Sequence, residues 1–259
     1  MFLITNPKVS GFTPQWSQFR GFSILFDNPS DRLFPLDESR ELRLLSCDIE
    51  TEELRLYKSL YQTLTIFTEL NNTYLFCPLP SHSYHVTLWD GINEANVQAV
   101  SRQHRFKAED LLEGLPHSFL RENEFLCIEN QPLNINMKEP ITFQFDRLLK
   151  WGNSVLVASL KPANSHSQAI LHKIEKERKY LIEEYKGHFG LETCGYSYTP
   201  HISLGYFANK ELAELTTSMI DSWNEHFLTN TKGQTITFTS NSLYGFNQMS
   251  TFFKKALRN

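Results

Sequence analysis

The chain has 259 residues, of which 41% are hydrophobic and 21% are charged, and its formal net charge is -4 at pH 7. This length and composition predict a folded protein with a substantial core and argue against disorder. The slightly acidic balance excludes a protein that coats long duplex nucleic acid, which requires a broad basic surface, but a nucleotide or a short RNA remains compatible.

In chain order, eight short runs rich in β-branched and aromatic residues predict strands, and four segments predict helices. The predicted strands are 21–27, 73–79, 84–90, 124–128, 141–145, 154–160, 201–207 and 235–239. The predicted helices are 51–70, a segment after residue 93, a segment from a cap at Ser165 or Ser167 to Gly187, and 209–227. This mixture is typical of the α+β class. The Pro- and Asn-rich stretch 130–140 is the expected crossover between two halves, and it is too short to separate independent domains, so we expect residues 1–259 to form one domain.

Cysteine usage and the absence of targeting signals indicate the compartment. The four cysteines are widely spaced and form no Cys-x-x-Cys pair, which is typical of buried thiols in a reducing compartment. The first six residues lack the basic region of a signal peptide, and no stretch approaches the roughly 18 apolar residues of a membrane helix. We therefore expect a soluble, cytoplasmic protein without membrane association, with a monomer as the default state.

One short pattern occurs once in each half of the chain, a histidine and a Ser or Thr alternating with apolar residues. The two copies are His85-Val86-Thr87-Leu88 and His201-Ile202-Ser203-Leu204, and both lie in predicted strands. Residues i and i+2 of a strand share a face. We therefore expect each histidine to point the same way as its hydroxyl partner, with the apolar residues in the core.

These residue types suit the cleavage of a phosphoester. One histidine can deprotonate the nucleophile and the other can protonate the leaving oxygen, because imidazole titrates near neutral pH. The hydroxyls of Thr87 and Ser203 can donate hydrogen bonds to non-bridging phosphate oxygens. This chemistry requires no cofactor and no metal, and a zinc site is disfavoured because the sequence has no His-x-x-x-His or Cys-x-x-Cys pair.

Aromatic residues and further histidines also lie near or outside the motifs. Trp89 and Tyr206, just past the motifs, are candidates for stacking on a base, although ordinary packing is the alternative. His82 lies in a polar turn and is expected to face solvent. The other histidines have no motif around them and are expected at the surface: His104, His117, His166, His172, His188 and His226.

The paired motifs resemble the signatures of the two-histidine (2H) phosphoesterase superfamily, which includes LigT-like RNA 2',3'-cyclic phosphodiesterases. The resemblance covers most of the chain, and the stretch Tyr198-Thr-Pro-His-Ile-Ser-Leu-Gly-Tyr206 carries it best. It implies a bilobal fold in which two pseudo-symmetric lobes, each with an antiparallel sheet and helices, meet around 130–140 and bring the two motif strands to a central cleft. It also implies that His85 and His201 are the catalytic pair and that Thr87 and Ser203 bind phosphate.

Two stretches depart from the compact members of that superfamily. Residues 1–70 are longer than those members need before the first motif, and 93–140 resembles an insertion, so substrate choice could lie in either. The leading hypothesis is a metal-independent phosphodiesterase for a 2',3'-cyclic phosphate or a short nucleotide or RNA linkage. The alternatives are a non-catalytic nucleotide-binding module that uses the same cleft and a structural protein without a ligand. The substrate, the 2'- or 3'-phosphate product and the roles of base and acid stay open.

Overall fold

A computed structural model describes residues 3–11, 15–31, 34–152 and 154–256 of the chain. Within these ranges the chain forms two large antiparallel sheets together with α-helices, which confirms the predicted α+β class. No described helix combines the length and the apolar character that a membrane crossing requires.

The first sheet has six strands and carries the first motif at its edge. In spatial order the strands are β2 (Phe34–Pro35), β3 (Leu42–Leu44), β13 (Thr251–Lys255), β12 (Asn241–Gln248), β1 (Gly21–Phe26) and β5 (Thr87–Asn93). Every residue of β1 is buried. The first motif therefore lies beside the most buried strand of this sheet.

The second sheet has five strands and carries the second motif. In spatial order they are β11 (Thr235–Phe238), β8 (Ile141–Trp151), β9 (Val155–Pro162), β10 (His201–Phe207) and β4 (Phe76–Pro78), and a separate ribbon pairs β6 (Cys127–Ile128) with β7 (Gln131–Pro132). Along the chain, strands of the two sheets alternate. β4 precedes the first motif but belongs to the second sheet, whereas β12 and β13 return to the first, so the sheets do not divide at a single point near 130–140.

The described helices are α1 (Arg55–Ile66), α2 (Thr68–Asn72), α3 (Arg102–Glu113), α4 (Ser165–Phe189), α5 (Lys210–Leu215) and α6 (Ile220–Asn230). The predicted helix 51–70 is interrupted at Phe67, which adopts a non-helical conformation between α1 and α2. The predicted helix 209–227 is likewise divided into α5 and α6 by a short 3-10 turn at Thr217–Met219.

The predicted ends of the longest helix were wrong by a few residues. Its N-cap is Asn164, whose side chain accepts a hydrogen bond from the Ser167 backbone N–H. The Ser167 hydroxyl does not cap the helix, since it accepts from the backbone N–H of Thr142 on β8. The helix continues through Gly187 and ends at Gly190, whose φ of +72° is the left-handed conformation that glycine tolerates. This anchoring at β8 fixes α4 against the second sheet.

The strands that sequence reasoning missed lie mainly in the first sheet. β12 reads Asn-Ser-Leu-Tyr-Gly-Phe-Asn-Gln and contains no β-branched residue. A Cβ at its Gly245 would collide with the Phe253 ring of β13, so glycine allows the two strands to pack closely. The predicted strand 124–128 is mostly a 3-10 turn, Glu124–Leu126, followed by the short strand β6.

Candidate active site

The two motif strands meet where the two sheets join. Val86, just before β5, forms an isolated antiparallel bridge with Ile202 of β10. Both side chains are fully buried. The apolar residues of the two motifs therefore hold the sheets together.

The bridge determines how the four polar motif residues are arranged. Residues that flank a bridged pair point to the opposite face, so His85, Thr87, His201 and Ser203 share one face, and all four are half-buried. Continuing the antiparallel register sets His85 opposite Ser203 and Thr87 opposite His201. Two imidazoles and two hydroxyls thus share one face in a crossed arrangement, and the space in front of this face is called the cleft below.

Each imidazole is oriented by a backbone carbonyl two residues earlier in the chain. Nδ1 of His85 lies 2.8 Å from the carbonyl oxygen of Ser83, and Nδ1 of His201 lies 3.0 Å from that of Thr199. A carbonyl can only accept, so Nδ1 donates in both rings. The Nε2 atoms of the neutral rings therefore carry the free lone pairs.

Each imidazole also packs against an aromatic ring from another strand. The ring centroids of His85 and Phe252 are 4.3 Å apart, and those of His201 and Trp151 are 4.2 Å apart. Phe252 is only 4% exposed, whereas Trp151 is half-buried. Neither aromatic residue is near a motif in sequence, so sequence reasoning missed both.

The environment favours the neutral form of both histidines. Burial, with a smaller contribution from the charge of His201, lowers the pKa of His85 to about 4. Burial also lowers the pKa of His201. Both rings are therefore neutral in the free protein near neutral pH.

Two charged residues that the sequence analysis did not select act on both imidazoles. Besides burial and the backbone carbonyls, Asp90 raises the pKa of each histidine, and Lys8 lowers it. Asp90 lies on β5 and accepts a hydrogen bond of 3.1 Å from the Ser23 hydroxyl. No motif surrounds either residue, and no sequence signal indicates that they approach the histidines.

The structure corrects the prediction that Trp89 stacks on a substrate base. Trp89 is 0% exposed and packs against the rings of Phe22 and Tyr185. The pairing of β5 with β1 shifts register between Ile24 and Leu25. This irregularity breaks the strict alternation that would have placed Trp89 on the face of Thr87, so it is a core residue.

Tyr206 borders the cleft, but its ring is not free to stack on a base. It is 7% exposed, its ring meets Trp16 edge-on at 5.9 Å, and its hydroxyl lies 3.5 Å from Sδ of Met249. Nζ of Lys8 lies 4.9 Å from the centre of the ring. Tyr206 therefore supports Lys8 and Trp16 at the edge of the cleft.

A buried arginine on α4 connects the two motifs. Nε of Arg178 donates to the backbone carbonyl of Leu88 at 2.8 Å, and the guanidinium lies 5.1 Å from the centre of the Tyr198 ring. The Tyr198 hydroxyl donates to the backbone carbonyl of Thr87 at 2.9 Å. The segment that leads into His201 is thereby fastened to the strand that carries Thr87.

Two cavities lie outside the histidine pair. One of about 410 Å³ borders β10 through its neighbour β4, and its mainly apolar wall includes Trp16, Tyr61 and the polar Asn71. A larger one, of about 1470 Å³, is lined by none of the four motif residues. Its wall includes Lys254 and Asp27, which are already paired at 2.6 Å.

The remaining predicted features have mixed outcomes. His82 is exposed as predicted, but His104 is half-buried, with its ring 5.4 Å from that of Phe189. The four cysteines are free; two of them are buried and two are half-buried. Among the described residues, no group of three or more His, Cys, Asp or Glu side chains is arranged to hold a metal ion.

Three solved structures align with most of the chain. A conserved protein of unknown function from Agrobacterium tumefaciens is 13% identical, with a TM-score of 0.51 over 97% of this chain and 90% of that chain. Escherichia coli LigT is 14% identical, with a TM-score of 0.40 over 93% and 96% of the two chains. Usb1 from Kluyveromyces marxianus is 11% identical, with a TM-score of 0.38 over 92% and 98%. The likeness to the Agrobacterium protein shows that the fold extends over nearly the whole chain, while no family model and no curated protein matches the sequence.

Proposed function

We propose that the protein is a metal-independent phosphodiesterase of the two-histidine type, which acts on a 2',3'-cyclic phosphate or on a short nucleotide diester. The observation that carries this proposal is the bridge between Val86 and Ile202, since it gathers two imidazoles and two hydroxyls on one face. Such a set supplies a base, an acid and donors for a phosphate without a further group.

The low pKa of His85 favours this residue as the base, which leaves His201 as the acid. His85 has a pKa of about 4, caused mainly by its burial, so its Nε2 is unprotonated and can accept a proton near neutral pH. A bound phosphodiester carries a negative charge, which raises the pKa of nearby imidazoles. With His85 as the unprotonated base, His201 is the imidazole that takes up a proton in the complex.

The reaction then follows for a cyclic phosphate. Nε2 of His85 removes a proton from water as the water oxygen bonds to phosphorus. The bond from phosphorus to one ribose oxygen breaks, and His201 gives its proton to that oxygen. Thr87 and Ser203 donate hydrogen bonds to the non-bridging oxygens, on which negative charge grows in the transition state. One water is consumed, and a phosphomonoester with a free ribose hydroxyl is formed.

The cavity of about 410 Å³ is our candidate for the nucleoside base. Its size falls in the range of small-molecule sites, and the indole of Trp16 provides an aromatic face beside Tyr206. Asn71 offers both a donor and an acceptor at the same wall. A nucleotide with its phosphate at the histidines would place its base on this side of β10.

The direct test is turnover in EDTA of 2',3'-cyclic nucleotides, short RNAs and cyclic dinucleotides. We expect turnover of at least one class, and we expect His85→Ala and His201→Ala each to lose about 1000-fold in kcat/KM, as for the removal of a general acid or base. His82→Ala, which alters an exposed histidine near the motif, is the matched control and keeps wild-type activity. Nucleotide binding without any turnover would contradict the proposal and support the non-catalytic alternative.

A further inference from the structure

Lys8 is a cation at the edge of the cleft with an unusual environment. Its Nζ lies 4.9 Å from the centre of the Phe19 ring and 4.9 Å from that of the Tyr206 ring, and the side chain is half-buried. In the described part of the chain, no carboxylate lies within ion-pair distance of it. Two aromatic faces therefore stabilise this ammonium group without neutralising it.

The backbone of Lys8 is fixed to the strand that carries the second motif. The buried side chain of Asn6 donates to the carbonyl of Phe207 at 2.9 Å and accepts from the Lys8 backbone N–H at 3.0 Å. The backbone N–H of Asn6 also donates to the carbonyl of Ala208 at 3.0 Å, and the Lys8 carbonyl accepts from Ser17 at 3.1 Å. The position of Lys8 is thus set by the end of β10 and by the bond to Ser17.

A partly desolvated cation without a counter-ion gains free energy when an anion arrives. In the proposed reaction, the anion that arrives near Lys8 is the phosphate of the substrate. The charge of Lys8 already reaches both imidazoles, since it adds to the burial that lowers the pKa of His85 and of His201. Tyr206, whose ring contacts the Lys8 ammonium group, lies on the same strand as His201 and Ser203.

We infer that Lys8 is a further substrate-binding residue, whose ammonium group pairs with the non-bridging oxygens of the phosphate held between His85 and His201. This inference rests on the proposed function. Negative charge on these oxygens increases as the nucleophile bonds to phosphorus, so the attraction is stronger in the transition state than in the ground state. This role for Lys8 would also explain part of the long segment 1–70, which the compact members of the superfamily do not need before their first motif.

Binding of inorganic phosphate tests the inference without requiring turnover. Histidine resonances are followed by NMR in wild type, Lys8→Met, Lys8→Arg and Lys232→Met, the last removing an exposed lysine as a control. We expect Lys8→Met to weaken phosphate binding by about 10-fold and Lys8→Arg to retain most of it, because arginine keeps the charge. Without phosphate, Lys8→Met raises the pKa of both histidines, since a neighbouring cation is gone.

The outcomes separate this inference from the proposed function. Weaker phosphate binding in Lys8→Met supports the inference even if no diester is hydrolysed, in which case only the activity is wrong. Wild-type phosphate affinity in a folded Lys8→Met protein overturns the inference, whether or not wild type hydrolyses a diester. Methionine keeps much of the aliphatic stem that packs between the rings, and a thermal unfolding midpoint equal to wild type verifies the fold.

Discussion

The two motif sites share their local construction. At each site Nδ1 of the histidine is bonded to a carbonyl two residues earlier, and the imidazole packs on an aromatic ring within about 4.3 Å. A buried apolar residue separates the histidine from its hydroxyl partner. The same short pattern therefore produces the same ring orientation in two different sheets.

The sites differ in what surrounds the imidazole. His85 packs on the buried Phe252, whereas His201 packs on the half-buried Trp151. Burial lowers the pKa of both histidines, to about 4 for His85. The two imidazoles therefore share an orientation but lie in different surroundings, and the proposed base is the one that packs on the buried ring.

After the histidine substitutions, the largest expected effect on catalysis comes from the two hydroxyls, which both motif sites have in common. Thr87→Val and Ser203→Ala are each expected to lower kcat by about 100-fold, because each removes one donor to the non-bridging oxygens. Thr235→Val, at an exposed strand position, is the control and leaves kcat unchanged. Steady-state kinetics with a cyclic nucleotide measure these values, and a loss at only one of the two hydroxyls would break the symmetry of phosphate binding.

The pH dependence sharpens the difference between the sites. The base must be unprotonated and the acid protonated, and burial lowers the pKa of both histidines. We therefore expect kcat/KM to reach its maximum below about pH 6.5 and to fall by about tenfold per pH unit on the alkaline side, where the acid loses its proton. A profile of kcat/KM from pH 4 to 9 measures this, and a maximum above pH 8 would contradict neutral imidazoles in the free enzyme.

A smaller effect is expected at the proposed base cavity beside the second site. Trp16→Ala should raise KM for a nucleotide by about 10-fold, the value of one base stacked on an aromatic ring. KM for ribose 2',3'-cyclic phosphate, which has no base, should stay unchanged. An equal rise for both substrates would show that Trp16 shapes the cleft without binding the base.

The smallest effect concerns the hydrogen bond that joins the two sites. Tyr198→Phe removes the donor to the Thr87 carbonyl and should lower the free energy of unfolding by about 1 kcal/mol. Tyr185→Phe removes a comparable buried bond to the Phe125 carbonyl and is the matched control. Urea unfolding should give similar losses for both variants, while only Tyr198→Phe should reduce kcat; unaltered kcat in both would show that this bond does not position the site.

The sequence supports prediction of the elements that have a strong local pattern. The strand at 201–207 was predicted to the residue, because apolar and polar residues alternate there between clear boundaries. β12 and β13 were missed, since β12 lacks β-branched residues and both are held by pairing with strands far away in the chain. Local propensity carries little information about such pairing.

The candidate site shows the same division. Its four motif residues could be selected from a period of two, but Lys8, Asp90, Phe252 and Trp151 reach it only through the three-dimensional fold. Trp89 was misplaced because the register shift beside Leu25 cannot be read from alternation alone. Sequence reasoning thus predicted the reacting groups, while their electrostatic environment required the structure.

The most direct test of the central claim, an unequal acid-base pair in one cleft, uses two leaving groups. A p-nitrophenyl ester and an alkyl ester of the same nucleoside phosphate are compared in wild type, His85→Ala and His201→Ala. Because p-nitrophenolate leaves without protonation, we predict that His201→Ala stays within about tenfold of wild type on the p-nitrophenyl ester but loses about 1000-fold on the alkyl ester, while His85→Ala loses about 1000-fold on both. Equal losses in the two variants on the p-nitrophenyl ester would contradict the division of roles.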